Sequence, residues 1–75
     1  MNSIDRGIYQ HYKGAHYEVL GCALHSETTE EMVVYRALYG DYGLWVRPLS
    51  MFCESVHTDS GSQPRFKLLH LFSHG

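Results

Sequence analysis

Six side chains carry most of the chemistry open to this sequence: His11, His25, Tyr35, Arg36, Trp45 and Arg47. Aromatic faces beside guanidinium groups stack on a planar ligand and hydrogen-bond to its edge. Tyr42 adds a ring between Arg36 and Trp45. Such a set points to ligand binding. The same residues serve equally well as the rim of a small β core with arginine stems laid over the rings, and residue types alone leave both readings open. Strand alternation narrows the geometry, because Tyr35 and Arg36 must point to opposite faces while Trp45 and Arg47 share one.

Catalytic, metal and cofactor signatures are absent from the sequence. His25-Ser26-Glu27 contains a base, a hydroxyl and a carboxylate, but neighbours on an extended chain diverge and do not form a relay. His11, His16 and His25 lie on separate segments without ligand spacing, and Cys22 and Cys53 lack any Cys-x-x-Cys pattern. Gly40-Asp41-Tyr42-Gly43 has neither the Lys nor the following helix of a phosphate-cradling loop. Glu27, Glu30 and Glu31 read as a solvated acidic loop.

The elements that must hold these residues are short. Ile8 to Tyr12 is β-prone, and Lys13-Gly14 supplies a tight turn into a second strand over Tyr17 to Leu24. Alternation there sets Tyr17, Val19, Gly21 and Ala23 on one face and Glu18, Leu20, Cys22 and Leu24 on the other, with Gly21 marking a bulge or bend. Ser26 to Glu31 is a polar loop. Met32 to Leu38 and Leu44 to Arg47 form a hairpin across the Gly-rich link Tyr39 to Gly43, and Pro48 stops the second of these strands. Leu49 to Phe52 fits a single helical turn, and Cys53 to Val56 a brief last strand.

The fold class expected is therefore all-β: a small, strongly bent antiparallel sheet or SH3-like barrel of four to five strands, with one helical turn before the last strand. A two-layer α+β fold is the alternative. Residues 1–57 are expected to form the single small domain, and residues 58–75, which open on the turn composition Thr58 to Pro64, a flexible or partly docked tail with Phe66 as its anchor.

Seventy-five residues allow one core, and a chain this short buries only about 60% of the surface its unfolded form exposes. Six Tyr, three Phe and one Trp supply the mass of that core. Six basic against eight acidic residues give a net charge of −2, which disfavours nucleic acid as the partner. The first residues carry no apolar run of the export type, no stretch reaches the ~20 apolar residues of a membrane span, and two cysteines are too few for a stapled secreted domain. The expected location is the cytoplasm.

Several segments, in order, carry a resemblance: Tyr12-Lys13-Gly14, Tyr17-Glu18-Val19-Leu20, His25-Ser26-Glu27-Thr28, Val34-Tyr35-Arg36-Ala37-Leu38-Tyr39, Trp45-Val46-Arg47-Pro48 and Met51-Phe52. They resemble the short bacterial proteins grouped as domain of unknown function 1653, over roughly Tyr9 to Val56, with Pro64-Arg65-Phe66 similar to the family's trailing motif. The resemblance implies a bacterial protein and no particular activity. The function expected is a noncatalytic binding or adaptor module without cofactor, for a protein or small-molecule partner, as a monomer or homodimer. Its contact surface is the face of strands three and four with their loop. The alternatives are a weak single-stranded RNA binder stacking bases on Trp45 or Tyr42, an enzyme accessory for a planar metabolite using His11 or His25 as a base beside Arg36, and a structural role in which aromatic edge strands pair two copies.

Overall fold

The computed structural model describes residues 4–72. The first three and last three positions of the segments read above for an export signal and for a tail lie outside the described residues.

The chain runs β1 (Gly7–His11), β2 (His16–Leu24), β3 (Glu31–Ala37), β4 (Leu44–Pro48), α1 (Leu49–Phe52), β5 (Ser55–Thr58), β6 (Gly61–Pro64) and β7 (Phe66–Leu71). Strands β4-β3-β2-β1-β7 form one antiparallel sheet in that order, and β5 with β6 forms a separate two-stranded ribbon. The all-β reading and the elements from β1 to α1 agree with the expectation. The sheet does not close into a barrel: β4 and β7 stand at opposite edges without pairing. The helical turn α1 packs against β3 and β4 and carries Phe52 into the core, where its ring stacks on Phe66 of β7.

Three strands follow α1 where one was expected. Asp59-Ser60 reads as linker composition but serves as the tip of a tight hairpin, with Thr58 opposite Gly61 and the Thr58 hydroxyl donating to the Gly61 carbonyl at 3.0 Å. Beyond it, β7 pairs along the whole of β1, from Gly7 opposite Leu71 to His11 opposite Phe66. Strand structure thus continues well past His57, and Phe66 is buried at 7% exposure in the common core. The reason is pairing: without β7 the backbone groups along the outer edge of β1 would have no partner.

Alternation in β2 is broken where Gly21 sits. The register against β3 slips between Val19 and Gly21, so Cys22 turns back onto the face of Val19 and packs against the core, opposite to the face that simple alternation assigns it. Gly21 itself adopts φ +156°, a conformation side chains rarely accept. The core that results is Tyr9, Val19, Val33, Tyr35, Phe52 and Phe66, with Ile4, Tyr17, Cys22 and Leu49 against it.

Candidate functional site at the open end of the aromatic core

The concave face is paved with rings. Phe52 and Phe66 stack with centroids 4.0 Å apart, and Tyr35 meets both edge-on at 5.5 and 5.7 Å. Tyr17 stands edge-on to Tyr35 at 5.4 Å and to Phe66 at 5.6 Å, and His11 to Phe66 at 5.0 Å. Each such pair adds about 0.5–1.5 kcal/mol beyond the area it buries. Register explains the assembly. Tyr9 faces Tyr17 across β1 and β2, His11 faces Phe66 across β1 and β7, and Tyr35 faces Trp45 across β3 and β4.

Cationic groups border this pavement at one end. The Arg47 guanidinium lies 5.8 Å from the Phe66 centroid, and its Nε donates to the Tyr35 hydroxyl at 3.4 Å. Burial lowers the His11 pKa below its ordinary value, and the charges of Arg47, Arg65 and Lys13 lower it further. Protonation of the imidazole is thus disfavoured by burial and then by a positive neighbourhood, in a chain whose net charge is negative. Arg65 is fixed by Glu54 at 2.8 Å, while its Nε is buried with no acceptor among the described residues. Tyr17 and Tyr39 share a hydrogen bond of 2.8 Å between their hydroxyls. Burial first, and then that bond, push the Tyr17 phenol up to about 12. A shallow groove of about 220 Å³, lined by Gln10, His11, Tyr12, Gln63, Pro64 and Lys67, runs along the same end.

Of the seven residues singled out in the sequence, His11, Tyr35 and Arg47 come together here. Trp45 shares their face, with its indole nitrogen leaning back toward Gly43. Arg36 does not join them. It points to the other face of β3 and donates to the Tyr42 carbonyl at 2.9 Å, which removes the arrangement of His11 as a base beside Arg36. His25 is remote as well: its Nδ1 accepts from the backbone N–H groups of Glu27 and Thr28 at 3.1 and 3.4 Å, so it caps the β2–β3 turn. Tyr42 sits in the β3–β4 loop at φ +57°. The site also draws on Tyr17, Tyr39, Phe52 and Phe66, which were not singled out. The alternation in β2 that puts Tyr17 beside Val19 was a usable signal for the first of these.

The family model described as Protein of unknown function (DUF1653) matches residues 7–68. The chain belongs to this family. The crystal structure of a DUF1653 protein from Bordetella bronchiseptica is 40% identical, with a TM-score of 0.85 over 97% of this chain and 96% of that one. No curated protein matches the chain. The DUF1653 match runs through β6 and the first half of β7, so much of the segment expected as a tail lies inside the family's extent. Among the described residues no helix is long and apolar enough to cross a membrane.

Proposed function

We propose that this DUF1653 protein is a noncatalytic binding module of the bacterial cytosol, whose ligand is a small planar anion seated against His11, Tyr17 and Arg47 at the rim of the buried Tyr35 and Phe66 rings. The observation that carries the reading is the Arg47 guanidinium between Phe66 and the Tyr35 hydroxyl, beside an imidazole whose pKa is lowered by burial and then by nearby positive charge. An aromatic carboxylate offers what this end lacks: negative charge for Arg47 and a flat face for the rings. The Bordetella relative supports the bacterial origin.

Binding of an anion stabilises the His11 imidazolium, so proton uptake accompanies it and affinity rises as pH falls through the His range. The experiment is an amide NMR titration with indole-3-acetate, salicylate and adenosine monophosphate at pH 7.5 and 6. Shifts clustered on His11, Tyr17, Tyr35 and Arg47, stronger at pH 6 and reduced at least tenfold in affinity by Arg47→Met, are expected. Shifts centred on Arg36 and Tyr42, or none with any of the three probes, remove the reading. A response to single-stranded RNA that fades with salt, in place of these, would favour the RNA alternative.

A further inference from the structure

The outer edge of β4 is open and regular. Leu44, Trp45 and Val46 are 57, 56 and 61% exposed, so side chains on both faces of this edge strand are open to solvent. The phase of its hydrogen bonds is fixed by two contacts. Leu38 N–H donates to the His16 carbonyl at 3.0 Å, which turns the even-numbered residues of β3 toward β2. Ala37 N–H donates to the Gly43 carbonyl at 3.0 Å, which turns Trp45 and Arg47 toward β3 in the same alternation. The groups left pointing outward are therefore the N–H and C=O of Leu44 and Val46 and the C=O of Pro48.

We infer that two copies of this chain pair antiparallel through β4, about a twofold axis at Val46, to form one continuous ten-stranded sheet. That register pairs the edge with itself and leaves only the Leu44 carbonyl without a donor. Val46 exchanges both of its hydrogen bonds with Val46 of the second copy. Leu44 donates to Pro48, the one residue that offers an acceptor and needs no acceptor in return. Trp45 stands directly across from Arg47 of the second copy in the closely spaced type of pair, placing an exposed indole opposite a guanidinium on each side of the axis. Pro48 ends the ladder, so the seam holds four hydrogen bonds and covers less than the ~800 Å² per partner of a standard interface; the dimer is weak and its population depends on concentration. The other edge is built differently. The register of β7 slips opposite Ile8 and Tyr9, leaving Leu69 unpaired, and this bulge beside Lys67 spoils it as a template.

The pairing does not rest on the ligand reading, since its donors and acceptors are backbone groups of Leu44, Val46 and Pro48. Sedimentation equilibrium and amide hydrogen exchange from about 10 μM to about 1 mM test it. Dimer should accumulate with concentration, and exchange at Leu44 and Val46 should slow at least tenfold while Trp45 and Arg47 stay protected throughout. Val46→Pro removes the outward N–H without touching the β3 ladder, and Val46→Lys sets two ammonium groups face to face. Either variant, folded by circular dichroism, should be monomeric at the highest concentration. A wild-type monomer at 1 mM overturns the inference, as does a dimer in which the Leu44 and Val46 amides exchange as fast as in the monomer. A folded Val46→Lys that dimerises as tightly as wild type does the same.

Discussion

Phe52 is 1% exposed and reaches the core from a four-residue helix that could not persist alone. Its ring stacks on Phe66 and touches Tyr9 and Tyr35, so Phe52→Ala opens a cavity that the bent sheet cannot collapse into. A cost of about 3–5 kcal/mol is expected. A chain of this length is stable by only about 4 to 11 kcal/mol, so the variant should be largely unfolded or show a urea midpoint reduced by about half. The phenols give a second test at this scale. Tyr9 and Tyr17 are both pushed up to about 12, chiefly by burial. Ultraviolet titration of the folded protein should show these two ionising well above pH 11, and Tyr39→Phe should bring Tyr17 down by removing its hydrogen-bond partner. Since the folded state favours the protonated phenols, their contribution is complete below about pH 10 and is lost as pH rises toward 12.

At the scale of elements, close approach between β1 and β7 sets the tightest constraint. A Cβ added at Gly7 would run into the carbonyl oxygen of His70 and press on Leu68, so Gly7→Ala must part the two strands. A loss of about 1–3 kcal/mol is expected, read as a lower urea midpoint with unchanged slope. Most strands were legible from residue type, since Val33, Val34 and Tyr35 or Tyr17 to Leu24 carry both β propensity and alternation. The β5–β6 hairpin and β7 were not. Thr58 to Pro64 has the composition of a linker, and only pairing with β1, a contact between opposite ends of the sequence, reveals what the following apolar run is for. The site was half legible for the same reason. Arg47 and Tyr35 could be placed on one face by counting, but Phe66, the ring that joins Arg47 to His11, arrives from that unread strand.

For the whole molecule, the balance of charge hides an uneven distribution. The net value is −2, yet His11 is crowded by Arg47, Arg65 and Lys13 while Glu27, Glu30 and Glu31 lie at or beside the β2–β3 turn. Because His11 titrates lower when folded than when unfolded, the unfolded chain takes up its proton first on acidification. The stability this neutral imidazole contributes is present above about pH 6.5 and is lost as pH falls below it. The urea midpoint of wild type should therefore drop more between pH 7.5 and 5 than that of His11→Gln, and equal drops would show that other groups carry the acid response.

The pairing of β1 with β7 also has a kinetic meaning. Phe72 N–H donates to the Arg6 carbonyl at 3.0 Å, so nearly the entire described chain is enclosed between the partners of one strand pair. The β1–β2–β3–β4 meander can form from neighbours, but it gains Phe66 only when the largest loop in the molecule closes. Folding should be slow for so small a protein, on the order of milliseconds to seconds. Until that closure, the unpaired edge of β1 and the bare rings of Tyr9 and Tyr35 are exposed together, and this interval is when the chain is most prone to aggregate.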